Sequence, residues 1–233
     1  MSFANDLRSY LASIVRVGFG LRRASVSRQP PEPLVLYEFE ACPYCRKARE
    51  ALSHLDLDVE IRPVPKKSPR RAELVARGGK MQVPYLIDPN TGREMYESDD
   101  IVRYLYATYG DGRVPLLLRL GPIGNYLSFL ASAVRVERGL RMIENRKPGP
   151  EHQLALYNME SSPYCRKVRE ALCELDIVYL NHNVPKGSPK RDGFKLRAGK
   201  VQVPYLVDPN ARREMFESDD IVAHLLAAYG ARR

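Results

Sequence analysis

The apolar positions of this chain fall into short blocks whose period switches between that of a strand and that of a helix, and the blocks come round twice. Leu34-Val35-Leu36-Tyr37-Glu38-Phe39 is a compact run of strand length and reads as a short buried strand. Pro43 follows where a first-turn proline is tolerated, and Arg46 to Leu55 reads as a helix. Leu57 to Val64 alternates apolar and charged residues, as a half-exposed strand does. Ser68-Pro69 opens a second helix that Gly78-Gly79 closes. Val83 to Ile87 is a predicted strand, residues 88–92 a turn, and Arg93 to Tyr96 the returning strand. Ser98 is expected to cap a last helix running to Gly110. Ahead of the block, Leu7, Tyr10, Leu11, Ile14, Val17 and Leu21 recur at helical spacing and predict an amphipathic leading helix. Residues 29–33 then form a stiff proline-rich linker. This order predicts an α/β fold with a mixed four-stranded sheet whose first two strands are joined by a crossover helix.

The whole pattern returns 120 residues later. Val83-Pro84-Tyr85-Leu86 answers to Val203-Pro204-Tyr205-Leu206, and Glu97-Ser98-Asp99-Asp100-Ile101 to Glu217-Ser218-Asp219-Asp220-Ile221. The leading segment recurs as well, since Ser13-Ile14-Val15-Arg16-Val17 resembles Ser132-Ala133-Val134-Arg135-Val136. Two domains are therefore expected, residues 1–115 and 116–233, each a leading helix plus a compact unit large enough to bury its own core. The Arg- and Ser-rich N-terminus has the look of a targeting peptide. Its second copy, around residues 123–141, stands where no presequence could act, so both are read as structural helices. Arg119 and Gly121-Pro122 interrupt the apolar stretch at 114–134, which makes it a poor transmembrane span.

Composition narrows the class. A hydrophobic fraction of 44% with ordinary Gly and Pro counts indicates globular material. Four cysteines are too few for a secreted disulfide framework, and a reducing, cytoplasmic setting is expected. The net charge of +9 is spread over both repeats without an aromatic-basic module of the RNA-binding type, which argues against nucleic acid and suits a small anionic ligand.

The candidate chemistry sits in Cys42-Pro43-Tyr44-Cys45-Arg46-Lys47. A C-x-x-C that leaves a strand and enters a helix sets its first sulfur at the helix N-terminus, where unpaired backbone N–H groups and the dipole stabilise a thiolate. Cys45, one turn on, is placed to resolve a mixed disulfide with Cys42. Arg46 and Lys47 add positive charge nearby, and Glu38 and Glu40 oppose it. The second copy reads Ser162-Pro163-Tyr164-Cys165-Arg166-Lys167, so the attacking sulfur has become a hydroxyl. Cys165 and Cys173 are expected to be packed small side chains. Zinc would need four ligands, the histidines show no ligand spacing, and no metal is expected.

These motifs resemble known ones. Cys42-Pro43-Tyr44-Cys45 is similar to the dithiol glutaredoxin active site. The rest of each repeat, about 34–110 and 154–230, resembles the N-terminal, thioredoxin-like domain of glutathione S-transferases and of type 2 prostaglandin E synthases. The resemblance implies cis-prolines at Val83-Pro84 and Val203-Pro204. It also implies that Glu97-Ser98 and Glu217-Ser218 receive the γ-glutamyl end of glutathione at a helix N-terminus. A glutathione site of Tyr44, Gln82, Val83, Pro84, Glu97 and Ser98 follows, with Ser162, Cys165, Gln202, Val203, Pro204, Glu217 and Ser218 as second-repeat equivalents. The lysine that many glutaredoxins carry before the first cysteine is absent, and Lys80, Gln82 or Arg46 is left to hold the glycine carboxylate. No all-helical domain is expected after either repeat.

The expectation is a tandem glutaredoxin-like protein that uses glutathione as cosubstrate on disulfide or glutathionylated partners, active in the first repeat, with the second a weak binder or scaffold. One alternative is a transferase or isomerase that uses the thiol of bound glutathione. The other is a non-catalytic glutathione-binding or membrane-surface assembly module.

Overall fold

The structure, a computed structural model, describes residues 20–119 and 138–231. The helical reading of residues 7–17 and 123–137 lies outside the described residues. At its described end that reading is corrected: Leu21 lies in a bend after Gly20 and residues 138–141 form a turn and a bridge. Gly20 and Gly139 both take positive φ, outside right-handed helical geometry.

Each repeat folds in the predicted order. The first comprises β1 (Leu34–Glu38), α1 (Pro43–His54), β2 (Val59–Pro63), α2 (Arg70–Gly78), β3 (Tyr85–Asp88), β4 (Arg93–Met95) and α3 (Ser98–Tyr109), followed by the short α4 (Leu116–Arg119). The second comprises β5 (Leu154–Asn158), α5 (Pro163–Glu174), β6 (Tyr179–Asn183), α6 (Lys190–Ala198), β7 (Tyr205–Asp208), β8 (Arg213–Met215) and α7 (Ser218–Tyr229). β1 pairs parallel with β2 and antiparallel with β3, and β5 does the same with β6 and β7. Gly79, at φ +80, closes α2 as the sequence implied. Ser98 does not cap α3: Glu97 occupies the cap position at φ +65 without a side-chain cap bond, and Ser98 is the first helical residue.

The two expected sheets are one. β2 and β6 pair antiparallel with Glu60 opposite Leu180, giving eight strands in the order β4-β3-β1-β2-β6-β5-β7-β8. Glu60 and Leu180 are equivalent positions, so a local two-fold axis passes between them. A single apolar core runs across that axis on the face covered by α1, α3, α5 and α7, joining Leu34, Leu36 and Leu52 to Leu154, Leu156 and Leu172. Smaller clusters around Leu74 and Phe194 fill the opposite face under α2 and α6.

The junction also carries charge. Every residue of α1 from Cys45 to Ser53 is buried, including Arg46, Lys47, Arg49 and Glu50. A helix that is buried all round has a partner on each side, and here the second partner is the other repeat. Arg49 reaches Glu160 at 3.2 Å, and Arg169 reaches Glu40 at 3.0 Å. Asp176 accepts from Ser68 and Arg70, and in reciprocal fashion Lys190 reaches Asp56 at 3.1 Å. Backbone bonds join Lys66 to Leu140 and Lys186 to Leu21, so the segment ahead of each repeat is stitched to the other.

Candidate functional site

Three segments of the first repeat converge at one end of the sheet. Tyr37 stands opposite Tyr85 in the β1–β3 register. The end of β1, the turn carrying Cys42 and the loop Gln82-Val83-Pro84 therefore share an edge. The Gln82 amide donates to Glu97 at 2.6 Å, tying that loop to the start of α3. Lys47, buried on α1, pairs with Asp99 in the first turn of α3 and fixes the two helix mouths side by side. Val83-Pro84 and Val203-Pro204 are both cis.

Cys42 is the N-cap residue of α1, and its sulfur accepts from the Cys45 backbone N–H at 3.3 Å. Its own N–H donates to the Phe39 carbonyl at 3.0 Å, closing the turn. The hydrogen bond with the Cys45 side chain lowers the Cys42 pKa, against burial and the charge of Glu38. Cys45 lies deeper, and burial raises its pKa well above the ordinary thiol value. One thiol is thus eased toward the thiolate and its neighbour is kept protonated, the division that attack followed by resolution requires. Tyr44 stands half exposed at the rim.

The surroundings differ from the simple charge reading. Lys47 is spent on Asp99. Arg46 is buried, facing Glu160, Glu50 and Glu40, so it is not positioned to hold a ligand carboxylate at the rim. Of the other two candidates, Lys80 lies over the Tyr96 ring at 4.6 Å, and Gln82 is bonded to Glu97. Glu38 continues the Leu34-Leu36 row beneath α1. Burial raises its pKa to about 7, because Arg49, its partner, is shared with Glu40 and Glu160. Burial also pushes on Glu40, but Arg169 and then Arg49 hold it at about 2.

The second repeat reproduces the framework without the sulfur. Ser162 caps α5 and accepts from the Cys165 N–H at 3.3 Å. Gln202 donates to Glu217 at 2.6 Å, and Lys167 pairs with Asp219 at 3.0 Å. Ser218, like Ser98, is a buried first helical residue. Cys165 is wholly buried and burial raises its pKa. Cys173 packs in α5 and donates to the Gly139 carbonyl at 3.3 Å. Asn158 replaces Glu38 and accepts from Arg169 at 2.7 Å.

Among the described residues, no group of three or more His, Cys, Asp or Glu could hold a metal ion, and no helix is long and apolar enough to cross a membrane. An open cavity of about 830 Å³ runs past Asp99 along α3 to Arg113 and Arg119. Cys42, Pro84 and Ser98 are not among its lining residues, so the Cys42–Cys45 pair lies outside it. The residues that sequence reasoning missed are Arg49, Arg169 and Glu160, and the role of Lys47. Their signal was present: Arg46, Arg49 and Glu50 lie on a helix whose apolar residues already face a core, and the same set returns at Arg166, Arg169 and Glu170.

Comparison with family profiles agrees with this fold. The family profile described as glutathione S-transferase, N-terminal domain, matches residues 36–115 and again residues 156–233. A search of curated proteins finds no match. Among solved structures, Leishmania TDR1, titled a unique trimeric glutathione transferase, is similar at 15% identity and a TM-score of 0.29, over 83% of this chain and 68% of that one. The chain belongs to the glutathione S-transferase N-terminal domain family and carries that domain twice.

Proposed function

We propose that the first repeat is a glutathione-dependent thiol–disulfide oxidoreductase, and that Cys42 and Cys45 do its chemistry in a reducing, cytoplasmic-type compartment. The observation that carries the reading is the opposed pair of thiol shifts, Cys42 down and Cys45 up, at a helix mouth that abuts the Gln82–Pro84 loop and Glu97-Ser98. In this scheme the Cys42 thiolate attacks a sulfur of the substrate disulfide. The S–S bond breaks, a Cys42 mixed disulfide forms, and the leaving thiolate takes a proton from solvent. Cys45, once deprotonated, attacks Cys42 and releases the second thiol, which leaves a Cys42–Cys45 disulfide. Two glutathione thiols then reduce it by the reverse exchange and depart as glutathione disulfide. Glutathione would lie with its backbone along Val83-Pro84 and its γ-glutamyl carboxylate at the N-terminus of α3, where Ser98 and the unpaired N–H groups face it.

The second repeat would take glutathione at Gln202, Val203, Pro204, Glu217 and Ser218 without forming a disulfide, and would serve mainly as scaffold. A transferase use of bound glutathione at Ser162 is the competing reading, because that hydroxyl holds the helix-mouth position.

The test is turnover of hydroxyethyl disulfide with glutathione and glutathione reductase. The wild type and Ser162→Ala are expected to be active, and Cys42→Ser to be inactive. Activity that survives Cys42→Ser and requires Ser162 would replace this reading with the transferase one.

A further inference from the structure

Each repeat grips the loop that leads into the other's nucleophile position. We propose that Arg169, on α5 of the second repeat, is a positioning residue for Cys42 in the first, acting through Glu40. Glu40 lies two residues before Cys42, inside the turn that the Cys42 N–H closes onto Phe39. Arg169 takes it with both prongs of its guanidinium, Nε to Oε2 at 3.1 Å and Nη2 to Oε1 at 3.0 Å. The remaining nitrogen, Nη1, donates to Asn158 at the end of β5, 2.7 Å away. The turn is thereby tied to the central sheet of the other repeat. Arg169 and Glu40 are almost fully buried, so solvent does not loosen this bidentate pair.

Packing restricts the same spot. A Cβ on Gly139 would come within 2.7 Å of the Glu40 Cβ, so the segment ahead of the second repeat walls in the carboxylate where only glycine fits. Arg49, Arg166 and Arg46 also act on Glu40 as cations, and Glu38 acts on it as a like charge. Arg49 lies 3.2 Å from Glu40, but Glu38 and Glu160 share it. Without Arg169 a buried carboxylate is left half compensated. It must either take up a proton or pull its loop toward water, and both disturb the turn that aims the Cys42 sulfur at the helix mouth. On this account the serine-bearing repeat is required for the chemistry of the other without performing any. The inference rests on Cys42 being the reactive thiol.

The experiment measures iodoacetamide alkylation of Cys42 in the full chain, read by the mass of its peptide between about pH 5 and pH 10, where thiols titrate. Arg169→Met should raise the apparent Cys42 pKa and slow alkylation at pH 7 by about tenfold, one pKa unit of thiolate. Adding Glu40→Gln to that variant should restore the rate to that of Glu40→Gln alone, since Glu160, the other carboxylate on Arg169 at 3.1 Å, keeps Arg49. Arg169→Lys keeps the charge but loses the fork, and should slow alkylation by about threefold, again only while Glu40 is present. If Arg169→Met does not fold, the Arg169→Lys and Glu40→Gln cycle decides the question in the same way. A wild-type Cys42 profile in the arginine variants, or effects that persist undiminished in the Glu40→Gln background, would overturn the proposal. The readout needs no turnover. A wild type that fails to reduce disulfides while its alkylation still depends on Arg169 would remove the proposed reaction and leave the positioning role standing.

Discussion

At the mouth of α1 the first repeat sets a sulfur, with Glu38 buried beneath it; at the mouth of α5 the second sets a hydroxyl, with Asn158 beneath. Around these two exchanges almost everything else is held in common: the cis Val-Pro loop, the Gln–Glu bond, the Lys–Asp pair between helix mouths and the buried arginine. The comparison teaches that the framework does not require the dithiol. Asn158 satisfies Arg169 as a neutral acceptor, so the carboxylate at Glu38 is not needed to seat an arginine there. The repeats therefore differ in charge and in the group at the helix mouth, within a geometry they share.

The largest way to break the comparison is to break the junction that enforces it. Arg49→Met would strip buried Glu38 of its cation and leave Glu160 with Arg169 alone, and should cost about 3–5 kcal/mol in denaturant unfolding of the full chain. Loss of less than about 1 kcal/mol would mean that the buried network contributes little. The next largest effect moves the sulfur from one repeat to the other. Ser162→Cys in a Cys42→Ser background should raise disulfide turnover at least about tenfold above Cys42→Ser alone, because the helix mouth that eases a thiol toward the thiolate is already built there. A silent double variant would show that the two mouths are not equivalent.

Glu38 offers a finer test. Its carboxyl titrates at about 7, and its charge raises the Cys42 pKa. Glu38→Gln should speed Cys42 alkylation about two- to threefold at pH 8, where the wild-type carboxylate is charged, and leave it unchanged near pH 5, where it is not. The same shift affects stability. The folded chain keeps a proton that the unfolded chain releases above about 4.5, so this group's contribution is lost as the pH rises from there through about 7. Glu40, held at about 2, has the opposite slope and loses its contribution as the pH falls from about 4.5 toward 2. Urea titrations across that range should lose the upper slope in Glu38→Gln and keep the lower one. The smallest effect falls where the repeats match most closely. Arg77 pairs with Glu94 and Arg197 with Glu214 on the surface, and removing either arginine should cost under about 1 kcal/mol by the same amount in both repeats.

The elements of each repeat were legible because each depends on local spacing. Pro43 opens α1, Gly79 closes α2, and the apolar run at Leu34 is too short for anything but a strand. The placement of Cys42 at a helix mouth was legible for the same reason, since Cys42-Pro43-Tyr44-Cys45 carries its geometry within one turn. What the spacing did not carry was the partner across the axis. Tyr179-Leu180-Asn181 gives no sign of joining β2, because a backbone ladder is blind to side-chain identity. Arg169 to Glu40 spans 129 residues and follows only from that pairing. The Ser98 reading failed because Glu97 adopts positive φ and takes the cap position itself, a backbone choice that composition does not announce.

The most direct measurement compares two thiols in one chain. Alkylation of Cys42 and Cys165 should be followed together against pH, peptide by peptide. Cys42 is expected to react with an inflection below that of an ordinary thiol, and Cys165 only above it. A Cys42 that reacts only in alkaline solution, in step with Cys165, would contradict the account.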